Sequence, residues 1–151
     1  MKKLLFVLSV IWLAASGNLK AQVEEPVKWT VKVKEINKWE VQVIAHATVE
    51  QGWKLYGLNV PADGPFPTNL VLEESDNYRA IKTPVEVTAA HVKYDEVFDM
   101  DVPYFKEEAT ISQNVRITKR PAVIKGYMEF MCCNNEKCLP PTSSEFEIEV
   151  K

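Results

Sequence analysis

Trp39-Glu40-Val41-Gln42-Val43-Ile44-Ala45-His46-Ala47-Thr48-Val49-Glu50 is the longest run of clean alternation in the chain. Trp39, Val41, Val43, Ala45, Ala47 and Val49 fall on one side; Glu40, Gln42, Ile44, His46, Thr48 and Glu50 fall on the other. Successive side chains of a strand point to opposite faces, so a period of two predicts a half-buried β-strand. The stretch before it has the same rhythm, with Trp29, Val31 and Val33 against Lys28, Thr30, Lys32 and Lys34. Glu35-Ile36-Asn37-Lys38 reads as the turn that folds the two runs into a hairpin.

Working outward, the remaining elements are short and bounded by turn residues. Gln51-Gly52 is a turn, followed by Trp53-Lys54-Leu55-Tyr56-Gly57. Residues 61–67 hold three prolines and a glycine and read as a loop. Residues 68–72 form a short strand. Residues 78–87 are interrupted by Pro84, which suits an edge strand or irregular stretch. Residues 91–103 mix acids with apolar side chains at no clear period and read as a loop bearing exposed hydrophobes. Residues 104–109, 111–117, 122–132 and 143–150 read as strands, the last with Phe146, Ile148 and Val150 on one face. No window after residue 21 keeps a helical period. Short strands at roughly ten-residue spacing, joined by turns, predict an all-β sandwich or barrel.

The first 21 residues stand apart. Lys2 and Lys3 make a basic tip, residues 4–15 are an apolar run, and Leu19-Lys20-Ala21 is a small-residue exit. This is the layout of a secretory signal peptide cleaved after Ala21, and the run is short of the roughly 20 residues a spanning helix needs. The expected mature domain is residues 22–151. Removing Lys2, Lys3 and Lys20 leaves 15 basic against 21 acidic side chains, a net charge of −6. An acidic surface argues against nucleic acid as a partner. The expectation is a soluble monomer in an oxidising, extracytoplasmic compartment, where a disulfide persists.

All three cysteines lie in one polar turn, Met131-Cys132-Cys133-Asn134-Asn135-Glu136-Lys137-Cys138-Leu139-Pro140-Pro141. By parity Cys132 shares a face with Ile124, Gly126, Met128 and Phe130, whereas Cys133 shares the more polar face with Lys125, Tyr127, Glu129 and Met131. Neighbouring cysteines rarely pair with each other. The natural pair is Cys133 with Cys138, and Cys132 with Cys138 is the competitor. A structural staple across so small a loop contributes only about 2 kcal/mol by chain entropy. Small rings at a solvent-facing turn are also open to attack by a partner thiolate. Lys137 beside Cys138 favours a thiolate and Glu136 opposes it. A redox pair, a structural disulfide and a soft-metal site such as Cu(I), drawing on the thiols with Met100, Met128, Met131, His46 and His91, all remain open at this point. No zinc-type spacing, Ser–His–acid pattern, phosphate loop or C-x2-C motif is present.

The hairpin from Phe130 to Pro141, a cysteine-ended strand, a polar turn, a second cysteine and then Leu-Pro-Pro, resembles the active-site hairpin of the N-terminal periplasmic domain of DsbD, the thiol:disulfide interchange protein. Gly52-Trp53-Lys54-Leu55-Tyr56 is similar to that family's Gly-aromatic-x-Leu-Tyr segment, and Tyr94-Asp95-Glu96-Val97-Phe98 to its cap loop. The resemblance implies an immunoglobulin-like β-sandwich. It implies that electrons come from a membrane partner and pass by thiol–disulfide exchange to thioredoxin-like periplasmic proteins. By position it makes Cys133 and Cys138 the redox pair, with Cys132 the alternative. Phe98 becomes the shielding cap aromatic with Val97 next in line, Asp95 and Glu96 the nearby acids, and Tyr56 the adjoining aromatic. Cys138 is the expected attacking thiol, and neither an organic cofactor nor a metal is required. The family's membrane and thioredoxin-like domains are not in this sequence, so the expected electron donor is a separate protein. A secreted immunoglobulin-like binding module with a structural disulfide, or a Cu(I)-binding protein, is the alternative.

Overall fold

The computed structural model describes residues 24–151, and the expected signal peptide lies outside the described residues. Twelve strands and no helix are found there: β1 (Val27–Asn37), β2 (Glu40–Val49), β3 (Lys54–Tyr56), β4 (Asn69–Leu72), β5 (Tyr78–Ala80), β6 (Val85–Glu86), β7 (His91–Asp95), β8 (Met100–Phe105), β9 (Glu108–Ile117), β10 (Ala122–Phe130), β11 (Cys132–Cys133) and β12 (Thr142–Val150). One sheet runs β1-β2-β9-β5, with β6 also on β9. A second runs β12-β10-β4 and a third β11-β3-β8-β7, with every pairing antiparallel.

The alternation read at residues 40–49 becomes the centre of the first sheet. Val33 and Gln113 flank Val43 in register. Val41, Val43, Ala45 and Ala47 are fully buried. They meet Ile124, Met128 and Val150 from the second sheet and Leu55 and Phe105 from the third in one continuous core. Two layers therefore close on each other as a sandwich. A slip of one residue in β2 would turn the whole valine–alanine row to solvent, at about 1.5–3 kcal/mol for each large side chain, so the apolar pattern fixes the register.

Two sequence expectations need correction. Trp39 does not lie on the core face of β2: it sits in the Lys38-Trp39 turn, half-exposed, with the Lys38 ammonium 5.0 Å from its ring centroid. The register of β1 on β2 shifts between Glu35 and Asn37, so β1 runs on to Asn37 and the turn moves forward. Residues 91–103 are not a loop. They form most of the β7–β8 hairpin, with a turn at residues 96–99. In β7 only Asp95 is even partly buried, so there is no buried face to generate a period of two. The exposed hydrophobes expected there are present in Val92, Tyr94 and Val97.

The β10 line continues past Met131 as β11 and changes partners from β4 to β3. Phe130 pairs with Thr142 and Cys133 with Cys138, so residues 131–132 stand opposite residues 139–141. The extra residue is a bulge containing Pro140 and Pro141, neither of which has an N–H to continue a ladder. This bulge ends the long β10–β12 hairpin and sets off the cysteine turn as a smaller unit.

Candidate functional site

Cys133 and Cys138 are joined by a disulfide, with Cα atoms 4.0 Å apart, and Cys132 is a free buried thiol. The turn between the paired cysteines is tied internally. The Asn134 N–H donates to the Lys137 carbonyl at 2.9 Å. The Asn134 Oδ1 accepts from the Glu136 and Lys137 N–H groups at 2.9 and 2.8 Å. Beyond the disulfide, the Leu139 N–H donates to the Cys132 carbonyl at 2.9 Å. An asparagine that caps its own turn is a local device, and it orders the turn between the two cysteines in addition to the pairing of Cys133 with Lys54 on β3.

Adjacent cysteines on a strand point to opposite sides, and here the two sides differ in kind. Cys132 belongs to the main core and borders a cleft of about 360 Å³ with Val27, Phe130 and Leu139. Burial, with the Glu24 charge second, pushes its thiol up to about 11. Cys133 faces a separate small cluster of Tyr56, Val102 and Tyr104, against which Val60, Phe98, Met100 and Met131 pack. The side expected from parity to be the more polar is thus itself covered, and Cys133 is only 4% exposed. Cys138 is exposed. One sulfur-bearing residue is shielded, and the other faces outward.

The cover comes from the β7–β8 hairpin. Phe98, in its turn, stands edge-on to Tyr56 with ring centroids 6.0 Å apart. Asp95 anchors the turn: its Oδ1 accepts the Val97 N–H at 3.0 Å, while its Oδ2 lies 3.5 Å from the Tyr56 hydroxyl and 3.7 Å from the Lys54 ammonium. Burial, and then the Asp95 charge and hydrogen bond, raise the Tyr56 phenol well above its ordinary value, so it stays a neutral donor. Glu96 and Val97 are exposed beside it. A depression of about 470 Å³ runs between the two turns, lined by Lys93, Asp95, Glu96 and Val97 on one side and by Cys133 and Cys138 on the other. Tyr56, Asp95, Glu96, Phe98, Cys133 and Cys138 therefore converge, and Cys132 lies on the opposite face.

Sequence reasoning missed Lys54, Val102, Tyr104 and Asn134. The first three are brought in by β3 and β8 pairing, which no local pattern announces; Asn134 carried a turn signal. Lys137 is engaged with Glu24 at 2.5 Å. Met128 is fully buried in the core, away from Cys133. His46 bonds the Thr110 hydroxyl at 3.1 Å, and His91 packs on Tyr104. Among the described residues no three His, Cys, Asp or Glu side chains converge as a metal-binding group. No helix there is long and apolar enough to cross a membrane.

The family model described as "Thiol:disulfide interchange protein DsbD, N-terminal" matches residues 20–150, nearly the whole chain. The chain belongs to the DsbD N-terminal family. That family's domains are periplasmic and serve thiol–disulfide interchange, and the cysteine pair is present here. The solved N-terminal periplasmic domain of ScsB from Proteus mirabilis aligns with a TM-score of 0.63 at 11% identity, covering 87% of this chain and 49% of that one. The chain thus spans about half the length of that relative. The DsbD N-terminal domain of Neisseria meningitidis, solved in complex with the PilB N-terminal domain, aligns with a TM-score of 0.52 at 16% identity, covering 84% of this chain and 87% of that one. At these identities the likeness establishes the fold, an immunoglobulin-like β-sandwich, which agrees with the two-layer core. No curated protein matches the chain.

Proposed function

We propose that this chain carries electrons in the periplasm, taking them from a membrane donor and passing them through Cys133 and Cys138 to thioredoxin-like proteins. The observation that carries the reading is the asymmetry of the pair: Cys138 is exposed, while Cys133 is buried beneath Tyr56 and the hairpin bearing Phe98. A staple has no need of one outward sulfur or of a separate lid.

In the reduced protein the Cys138 thiolate attacks a partner disulfide and forms a mixed disulfide, releasing one partner thiolate. The Cys133 thiolate then attacks the Cys138 sulfur, closing the Cys133–Cys138 bond and releasing the second partner thiolate. Two electrons leave the pair, and the partner's two thiolates take up two protons. Phe98 and Tyr56 shield the pair from other oxidants between encounters, and the hairpin tip moves aside when a partner docks. A solved complex of a relative's domain with another protein's domain supports a protein partner over a small molecule. The reading takes the domain as residues 22–151, exported by residues 1–21 and acting as a monomer.

The test is mass mapping of the disulfides in the purified mature protein across a series of glutathione buffers. Reversible opening of Cys133–Cys138 with the fold retained is expected. A bond that opens only on unfolding would leave a structural staple and overturn the proposal.

A further inference from the structure

The β7 strand is the outer edge of the β11-β3-β8-β7 sheet, and the backbone of β8 shows which of its groups are free. The Pro103 carbonyl accepts the Gly57 N–H at 2.9 Å, so Pro103 turns its polar face toward the β3 side. In an antiparallel sheet a residue's N–H and C=O point the same way, and the direction alternates along the strand. Val92 is paired with Pro103 and Tyr94 with Asp101, two residues apart in step, so the N–H and C=O groups of both point away from β8 to the open edge. Among the described residues no acceptor outside the β7–β8 ladder bonds the Val92 or Tyr94 N–H, and the register turns both away from β8. Their side chains are exposed, Val92 at 67% and Tyr94 at 51%, and offer the valine methyls and the tyrosine ring, whose hydroxyl donates to Asp99 Oδ1.

Free edges are ordinarily blunted by prolines, bulges, charge or a covering element. β7 has no proline and an unbroken register on β8, and its two charged residues, Lys93 and Asp95, line the depression beside the cysteine pair. β7 and the cysteine strand β11 are opposite edges of this sheet, and the depression beside the cysteine pair spans the face between them. Lys93, Tyr94 and Asp95 line the same depression as Cys133 and Cys138. We propose that β7 is the docking strand for the redox partner. An extended segment of the partner protein adds to the edge by main-chain hydrogen bonds at Val92 and Tyr94. It lays apolar side chains on theirs, and so brings the partner's disulfide along the depression to Cys138. This rests on the exchange reading above. Continuity of the depression with the cysteine pair is what favours that partner over a second copy of the chain.

The experiment is amide hydrogen exchange on a trapped complex. The Cys133→Ser protein is reacted with a single-cysteine thioredoxin activated as its thionitrobenzoate disulfide. The Cys138 thiolate attacks the thioredoxin sulfur and releases thionitrobenzoate, leaving a mixed disulfide that lacks the resolving thiol of Cys133, with the remaining thiol, Cys132, buried on the opposite face. The Val92 and Tyr94 amides are expected to exchange at least ten times more slowly in this complex than in the free protein. In the otherwise native protein, Val92→Pro, which removes one outward N–H, is expected to slow transfer to oxidised thioredoxin about tenfold. Reduction of a small aromatic disulfide should keep its rate. Failure of the mixed disulfide to form overturns the exchange reading and the edge proposal together. A complex that forms without protection of these two amides overturns the edge proposal alone. So does protection in the free protein that rises with its own concentration, which assigns the edge to a second copy.

Discussion

The ring of Phe98 stands edge-on to that of Tyr56, with centroids 6.0 Å apart, and this contact holds the hairpin tip against the cluster that contains Cys133. An aromatic pair of this geometry contributes about 1 kcal/mol beyond area burial. Removing it favours the open arrangement by roughly fivefold, since about 1.4 kcal/mol is a factor of ten. Phe98→Ala should therefore speed reduction of the Cys133–Cys138 bond by dithiothreitol about fivefold under native conditions. Tyr56→Phe keeps the ring contact and should change the rate far less. Equal rates for Phe98→Ala and the native protein would show that Phe98 does not gate the site.

Asn134 concerns the pair itself rather than its cover. Its Oδ1 accepts two backbone N–H groups within the turn. Asn134→Ala leaves both without that acceptor, and about 1 kcal/mol of turn order is lost. The two thiols then meet less often, and the equilibrium constant for closing the disulfide against glutathione should fall about fivefold. Asn134→Asp keeps an acceptor in place and should restore most of the constant. A constant unchanged in Asn134→Ala would mean that the ladder of β11 alone positions the pair.

What was legible in the sequence, and what was not, follows from where each signal originates. The alternation from Val41 to Val49 was plain because β2 has one buried face and one less buried, so every second residue reports the core. The faces of Cys132 and Cys133 were legible for the same reason, inherited from β10. β7 left no trace because its residues are exposed on both faces. Trp39 misled because it continues the period of two, although the turn reaches it: the Asn37 Oδ1 accepts its N–H at 2.9 Å, and the register of β1 shifts just before. The neighbours of Cys133 lie furthest from the sequence. Val102 and Tyr104 reach it only through the pairing of β8 with β3, a contact between distant segments that leaves no periodic mark.

Gly126 tests the sandwich apart from the site. A Cβ built there would lie 2.2 Å from the Val71 carbonyl oxygen and 2.9 Å from Phe146 Cζ, where β4 and β12 both crowd β10. A backbone atom cannot swing aside as a side chain can. Gly126→Ala should lower unfolding stability by about 1–3 kcal/mol, read as a lower urea midpoint, as overpacking commonly does. The glutathione equilibrium of the cysteine pair, measured below the unfolding transition, should stay unchanged. An unaltered midpoint would mean that β4 can separate from β10 at no cost.

Cys132 gives the fold an alkaline weakness. Its thiol is raised from 9.0 to about 11, chiefly by burial, with Glu24 second. A group whose folded pKa is raised favours the fold while it is protonated. Its contribution is full below about pH 9, where both states hold the proton, and is lost as pH rises through about 11. A shift of this size corresponds to roughly 2–3 kcal/mol across that window. The Tyr56 phenol is shifted the same way, so the slope of the native protein alone does not isolate Cys132. The difference between the native protein and Cys132→Ala does. Urea unfolding of the two at pH 8 and at pH 10.5 should show the native protein losing about 1–2 kcal/mol more than the variant over that interval. The variant starts lower, because Cys132→Ala leaves a small gap beside Phe130 and Leu139. Parallel pH profiles would mean that the Cys132 thiol ionises in the folded protein as freely as in the unfolded one.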